Sequence, residues 1–433
     1  MKNLNVLQQA GLTAAEKFIT YTVRKKNAEC LRFFPTPSLS LPRRTESGPI
    51  GLYMHVPFCE ELCPYCSFNR VEFQETFARQ YFDALRKEVL MYRDLGYEFK
   101  SLYVGGGTPT ILIDELEATI RLIKDTYPVT EISVETNPNH LTKTNLYVLQ
   151  NIGVNRLSVG VQTFDDTLLK AVKRYHKYGS GAEVAERIKQ TQGIFHTLNV
   201  DMIFNFPQQT REMLEQDLST LVGLGVDQIT YYPLMSSTQT QEALSRDLGG
   251  APDHARTREF YTRVTEVLTA HYTASTAWCF SRHDAAIDEY AVNVDEYAGL
   301  GSGSIGHLGR TAYANTFDIA EYIRQVNQGR LPLAAKRDFT LRERLGYDFL
   351  MKLFGLSLDL DSLKAKHGVN VYRHLWAEIL FFRLINGLNK RGNMLLLTKR
   401  GRYFWFLMMR EFFIGVNNFR DYCRAQVAAG RDV

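Results

Sequence analysis

Absences set the first limits on this 433-residue chain. No apolar run approaches the ~20 residues that cross a bilayer. The N-terminus lacks the continuous apolar core and small-residue cleavage site of a signal peptide. Neither sign of charge dominates: 51 Lys and Arg stand against 47 Asp and Glu, a net of +4, so no global field points to nucleic acid. Cysteine is sparse, and the six present are poor material for a disulfide framework in so long a chain. Cys30, Cys279 and Cys423 are scattered, which suits a reducing compartment and a cytoplasmic protein. Aromatics, by contrast, are plentiful, with 26 Phe and 23 Tyr thickening toward the C-terminus. The length accommodates one large barrel and one or two small domains.

The other three cysteines lie together in Gly51-Leu-Tyr-Met-His-Val-Pro-Phe-Cys59-Glu-Glu-Leu-Cys63-Pro-Tyr-Cys66-Ser-Phe68, at spacing C-x3-C-x2-C. Thiolates at this density hold soft metal, and iron–sulfur clusters are bound in this way. A [4Fe–4S] cube has four irons, so three local thiolates leave one iron open to a substrate. The competing reading is a zinc knuckle, but structural zinc is closed by four ligands. His55, the candidate fourth, sits upstream in a predicted strand.

Around this stretch the chain alternates. Strands are predicted at 50–56, 101–105, 131–136, 156–162, 199–206 and 228–233, with periodic helices between them. One helix carries Phe77, Tyr81, Leu85, Val89 and Tyr92 and ends near Gly96. Another opens on Asp114-x-x-Glu117 as a capping box, and a third at Thr210. Strands alternating with helices make parallel βα units and an α/β fold. In such barrels the working residues sit at the C-terminal ends of the strands. Strand one runs into the cysteine loop and strand two into Gly105-Gly-Gly-Thr108-Pro109; strand three ends near Glu135, strand four at Gln162, and strand five carries Asp201. Polar groups that are costly in a core thus collect on one rim. The glycine triplet allows close backbone approach, so its N–H groups can meet a carboxylate or its carbonyls an ammonium.

These words resemble the radical S-adenosylmethionine (radical SAM) superfamily. Tyr53-Met-His-Val-Pro-Phe-Cys59 and Cys63-Pro-Tyr-Cys66 are similar to the oxygen-independent coproporphyrinogen III oxidase family, whose relatives include a haem chaperone and class C methyltransferases. The resemblance covers roughly residues 45–330. It implies a partial (β/α)6 barrel, a [4Fe–4S] cluster on Cys59, Cys63 and Cys66, S-adenosylmethionine, and an electron donor such as flavodoxin or ferredoxin. Its cofactor-contacting positions match Tyr53, Tyr65, Gly106, Gly107, Thr108, Glu135, Gln162, Arg174, Asp201 and Ile305. Ile305 belongs to the glycine-rich Gly299–Gly306 segment, which is neither a P-loop nor a Rossmann turn: no Lys-Ser/Thr closes it and no βαβ unit surrounds it.

The departures from the pattern point to a subfamily. The oxidase carries a fourth cysteine two residues after the third, where this chain has Phe68. The chaperone shares that Phe but differs from Tyr231-Tyr-Pro-Leu-Met235 and Trp278–Arg282. The resemblance is therefore expected to be to class C methyltransferases, which are thought to hold two S-adenosylmethionine molecules and methylate an sp2 ring carbon; porphyrin oxidation and haem delivery are the alternatives. The catalytic base is not readable, and Cys279 reads as a small core residue. Residues 1–45 form a helical extension with Phe18, Ile19, Tyr21, Thr22 and Val23 before Arg24-Lys25-Lys26, then Phe33, Phe34 and a linker at Pro35, Pro37 and Pro42. This extension either packs across the barrel or rests peripherally on a membrane. Residues 46–330 form the barrel, and 331–433 a mostly helical, winged-helix-like domain. Within the latter, Tyr403–Ile414 is apolar on nearly every face, either a core helix or a lid over a lipophilic substrate. A porphyrin would call for converging Arg and Lys, and no basic constellation separates from the surface charge. The expected substrate is accordingly lipophilic and quinone-like, with menaquinone the best single choice.

Overall fold

The computed structural model describes residues 6–31, 40, 41, 43, 44, 50–250, 254–283 and 294–429. The expected linker from Phe33 to Pro42 lies outside these residues except for 40 and 41. Six strands form the centre: β1 (Ile50–Val56), β2 (Phe99–Gly106), β3 (Glu131–Thr136), β4 (Arg156–Gln162), β5 (Thr197–Phe204) and β6 (Gln228–Pro233). Neighbours in sequence pair in parallel, as short βα crossovers require. All seven residues of β1 are buried, as befits a strand covered on both faces.

Four strands fall on their expected bounds. β5 instead starts at Thr197, which pairs with Arg156, and stops at Phe204 because Asn205 takes a positive φ of 72° that ends the extended run. The sheet continues past both ends of this arc. β7 (Thr273–Ala274) and β8 (Cys279–Ser281) add antiparallel beyond β6. β9 (Tyr297–Leu300) joins β1 in parallel, followed by antiparallel β10 (Ile305–Leu308), β11 (Thr311–Asn315) and β12 (Leu333–Asp338). The result is a twelve-stranded open arc ordered β12-β11-β10-β9-β1-β2-β3-β4-β5-β6-β8-β7.

Helix Glu75–Asp94 buries Tyr81, Leu85, Val89 and Tyr92 against the sheet, the stripe its sequence announces, and Gly96 follows at φ 80°. Each such fully buried side chain contributes ~2 kcal/mol relative to exposure. Helix Arg211–Leu224 is capped by Thr210, whose hydroxyl accepts from the Met213 amide. The Asp114 capping box is corrected: helix Ile113–Thr126 starts earlier, with Leu112 at its N-cap and no side-chain cap bond. Asp114 lies inside the first turn and pairs with Arg79 at 2.7 Å.

After β12, helices Leu341–Phe354, Leu360–His367 and Trp376–Leu384 surround a small antiparallel sheet of Ser357–Asp359, Met394–Leu397 and Leu388–Arg391, with Met394–Leu397 central. The last helix, Lys399–Ala428, is far longer than its apolar start suggests. That start is core, not lid: Tyr403, Phe404, Trp405, Phe406, Leu407 and Met409 are all buried. The Trp405 indole donates to the Leu350 carbonyl at 2.9 Å, and Phe406 stacks on Tyr261 at 4.0 Å. The N-terminal helix Val6–Cys30 packs along this C-terminal helix. Arg24 Nε meets Glu411 at 2.6 Å, Asn27 donates to the Glu411 carbonyl, and Phe18 lies 5.4 Å from Phe381. No described helix is long and apolar enough to cross a membrane.

Candidate functional site

The cysteine loop leaves the C-terminal end of β1. Its anchor is His55, which is buried, with both ring nitrogens engaged: the Tyr53 hydroxyl contacts Nδ1 at 2.8 Å and Nε2 lies 2.8 Å from the Asn69 carbonyl. A carbonyl can only accept, so Nε2 carries the proton and Nδ1 accepts from Tyr53. Burial pushes the imidazole down to about 4, keeping it neutral. A histidine so committed has no nitrogen left for metal, which removes the zinc-knuckle ligand.

Cys59 and Cys63 are buried and Cys66 is half-buried. Burial pushes the Cys59 thiol up to about 12, the neighbouring Cys66 adding to the rise while Arg70 and the Thr108 hydroxyl oppose it. Arg70 donates to the carbonyls of Cys63 and Cys66 at 2.6 and 2.9 Å, pinning the loop. Arg174 is buried; it donates to the Gly160 carbonyl, to Asn137 Oδ1 at 2.9 Å and to Cys63 Sγ at 3.6 Å, with its guanidinium 4.2 Å from the Tyr178 ring centre. A guanidinium buried without partners costs several kcal/mol, so this one is built to face electron-rich sulfur. Among the described residues, no three His, Cys, Asp or Glu side chains close around a point as ligands of one ion do. A cube, whose ligated corners are separate irons, spaces its thiolates more widely.

Each glycine of the triplet meets a different neighbour. A Cβ on Gly105 would lie 2.8 Å from the Glu135 carboxylate, and one on Gly107 would lie 2.6 Å from the Phe58 carbonyl oxygen and 3.0 Å from Cys59 Sγ. Gly106 has φ 119° and donates its amide to Glu135 Oε2 at 3.1 Å. Tyr103 donates to the other oxygen of Glu135 at 2.9 Å. Thr108 accepts from Asn137 at 2.8 Å, so Cys59, Thr108, Asn137, Arg174 and Cys63 form one chain of contacts around the loop.

Other expected positions sit farther along the rim. Gln162 holds φ 74°, a left-handed conformation that costs a non-glycine ~1 kcal/mol or more and clusters at functional sites. Asp201 is held by Ser158 at 2.7 Å and Asn199 at 2.8 Å. Tyr65 packs edge-on against Phe206 at 5.7 Å. Ile305 opens β10 and packs with the group containing Ala314, Phe317 and Phe419. The Ser158 and Asn199 partners of Asp201 lie on β4 and β5. Cys279 is buried in β8 and accepts from the Thr230 hydroxyl, the core role expected of it.

Behind the loop, the glycine-rich segment closes on Glu88. This fully buried carboxylate accepts from the Gly301 amide (2.9 Å), Asn315 Nδ2 (3.0 Å) and the Tyr322 hydroxyl (2.6 Å). Asn69 donates to Ser302, tying this network to the loop. In front, the C-terminal helix reaches the loop. Arg424 donates to the carbonyls of Ser67 and Phe68 at 2.9 and 2.7 Å, and Arg420 lies 4.5 Å from the centre of the Phe68 ring. Asn69, Arg70, Asn137, Glu88, Arg420 and Arg424 escaped the sequence reading. Asn69 and Arg70 directly follow the motif and were legible there; the two distal arginines required knowing that the helix runs on to Ala428.

Three cysteines thus stand at the C-terminal mouth of a parallel α/β arc, beside a glycine triplet. The family model described as the radical SAM superfamily matches residues 53–221. The heme chaperone HemW of Bacillus subtilis is 30% identical over 317 residues, covering 70% of this chain and 82% of that one. The oxygen-independent coproporphyrinogen III oxidase of Bradyrhizobium diazoefficiens is 28% identical over 345 residues, 73% of this chain and 76% of that one. The solved coproporphyrinogen III oxidase of Escherichia coli superposes with a TM-score of 0.71 at 22% identity over 85% of this chain and 90% of that one, a likeness of fold. The chain belongs to the radical SAM superfamily, in the family of the coproporphyrinogen III oxidases and heme chaperones, and its cofactors are a [4Fe–4S] cluster and S-adenosylmethionine.

Proposed function

We propose that Cys59, Cys63 and Cys66 hold the cluster and that the chain acts on a carboxylated tetrapyrrole bound between the barrel mouth and the C-terminal helix. Held by Cys59, Cys63 and Cys66, the cluster would supply one-electron reductive cleavage of S-adenosylmethionine and so hydrogen-atom abstraction from the substrate. The residues of this chain do the holding. Arg174 and Arg70 counter thiolate charge, the Gly105–Gly107 backbone and Glu135 receive the polar end of the cofactor, and the C-terminal helix keeps water from the loop.

One observation carries the substrate class: Arg420, its guanidinium 4.5 Å from the centre of the Phe68 ring, places positive charge beside the cluster loop. Such a group suits an anionic substrate. It answers the expectation of a chain without a basic constellation, because helix Lys399–Ala428 carries Arg410, Arg420 and Arg424 toward the barrel. The relatives named above, porphyrin oxidases and haem chaperones, agree with this class. Quinone-ring methylation loses both segments that motivated it, since Tyr403–Met409 is core and the N-terminal helix is packed. Haem carriage is the second reading, favoured by Phe68 in place of the oxidase's fourth cysteine.

The test is anaerobic turnover of reconstituted protein with S-adenosylmethionine, dithionite and coproporphyrinogen III, followed by mass spectrometry. 5′-Deoxyadenosine together with loss of carbon dioxide from the porphyrinogen supports the proposal. A methylated product with S-adenosylhomocysteine returns the methyltransferase reading, and tight haem binding with neither product supports carriage. Retention of iron and 5′-deoxyadenosine formation by Cys63→Ala would overturn the ligand assignment.

A further inference from the structure

At the C-terminal ends of β5 and β6 lies a cavity of about 70 Å³, bordered by Arg24, Asn205, Ser236, Gln241, Thr257 and Arg410. Its charges do not balance. Glu411, wholly buried, is saturated: Arg24 Nε takes one carboxylate oxygen at 2.6 Å, and Arg410 Nε and Nη2 take the other at 3.1 and 2.7 Å. Two guanidinium groups, the buried Arg410 and the half-exposed Arg24, against one carboxylate leave a net positive charge at the border of the cavity. Among the described residues, Arg410 Nη1 and the side chains of Ser236 and Gln241 meet no protein acceptor, although Arg410 is nearly fully buried. Asn205 is committed elsewhere, donating to Thr257 at 2.9 Å and accepting from Arg256 at 3.0 Å. A buried guanidinium with an unused N–H face, among further donors, is built for an oxyanion.

The volume limits the guest. At about 70 Å³ the cavity is smaller than the ~150 Å³ that accommodates a benzene ring, so it suits a carboxylate rather than a ring system. Its position links it to the reaction. The segment Ser236–Gln241 that borders the cavity also touches the cluster loop, where Ser67 Oγ lies 2.7 Å from Thr240 Oγ1. Arg410 and Arg420 are ten residues apart on one helix, a rise of ~15 Å, on the scale of a planar macrocycle with carboxylates at its edge.

We propose that this cavity is an anion subsite that takes one carboxylate arm of the substrate, while the rest of the molecule extends along the C-terminal helix to the cluster loop. This rests on the tetrapyrrole reading and assigns an anchor within it. The experiment uses the reconstituted holoprotein and two probes, coproporphyrin III and its tetramethyl ester, with binding followed by porphyrin fluorescence. Wild type should prefer the acid. Arg410→Met should weaken acid binding roughly tenfold to a hundredfold, the worth of one charge-assisted contact, without changing ester binding. The double variant Arg410→Met with Glu411→Gln removes the buried pair together and should behave alike; thermal midpoint and iron content verify its fold. Equal acid binding by wild type and both variants would overturn the subsite and leave the tetrapyrrole reading intact. If wild type binds neither porphyrin but sodium propionate raises its thermal midpoint and not that of Arg410→Met, the subsite stands as an anion site and the tetrapyrrole reading falls. If propionate has no effect either, both fall.

Discussion

Replacing Glu88 by Gln should change how stability depends on pH, by an amount the structure sets. Two effects compete at this carboxyl group. Three donors, from Gly301, Asn315 and Tyr322, favour the charged form, while complete burial disfavours it. Burial is the larger, and it pushes the group from 4.5 up to about 7. A carboxyl whose folded value lies above its unfolded value binds an extra proton in the folded state. Its contribution is therefore full below about 4.5 and is lost as pH rises through about 7. Across that interval of about 2.5 units the loss comes to roughly 3 kcal/mol. Asp217, also pushed up to about 7 by burial, adds a parallel slope, and His55, pushed down to about 4, adds an opposite one. Both are common to wild type and variant, so the difference between the two proteins isolates Glu88. The assay is urea unfolding of the anaerobic holoprotein at about pH 5 and about pH 8, followed by pulse proteolysis. The stability of Glu88→Gln relative to wild type should improve by about 2.5 kcal/mol from the acid to the alkaline condition, part of the loss having already occurred at about pH 5. A difference that stays flat would mean the three donors outweigh burial and Glu88 is charged throughout.

Three further outcomes concern the loop. Gly107→Ala sets a methyl 2.6 Å from the Phe58 carbonyl oxygen and 3.0 Å from Cys59 Sγ, so reconstituted iron content should fall sharply; normal loading would show that the loop has slack. Arg70→Met removes two donors from the carbonyls of Cys63 and Cys66, about 2 to 3 kcal/mol of loop ordering, and should speed iron loss to a chelator; an unchanged rate refutes the pinning role. Arg424→Met frees the carbonyls of Ser67 and Phe68, and the cluster absorbance should bleach faster in air than in wild type; equal bleaching would mean that the helix does not shield the loop.

What the sequence made legible was what local spacing encodes. The three cysteines, the glycine triplet, the parallel strands and the Thr210 cap are short-range patterns, and the structure places them accordingly. The Asp114 cap failed because a salt bridge to Arg79, 35 residues away, holds that acid inside the first turn. Helix Lys399–Ala428 failed differently. Its first half is apolar all round and reads as a short buried segment, while its more polar second half carries only the narrow stripe Val416, Phe419, Cys423 and Val427, which the sequence reading passed over. The arginines that bear on substrate choice are on or near that second half. In the sequence Arg410 merges with the general charge, and Arg24, 387 residues before Glu411, joins it only in the fold. Arg174 is legible through the family resemblance alone, and the fold buries it beside Cys63.

The cover on the cysteine loop also has a schedule. Arg424 lies 357 residues after Ser67, whose carbonyl it caps. At bacterial synthesis speeds the loop emerges roughly 20 to 70 s before the arginine that fastens it. Strands β2 to β6 are made within that interval, before the C-terminal helix that will lie across the loop. The nascent chain at that stage has the cysteine motif and the barrel strands but not the helix whose Arg424 caps the loop carbonyls. Delivery during translation meets an accessible loop, whereas delivery afterwards must first prise away a docked helix.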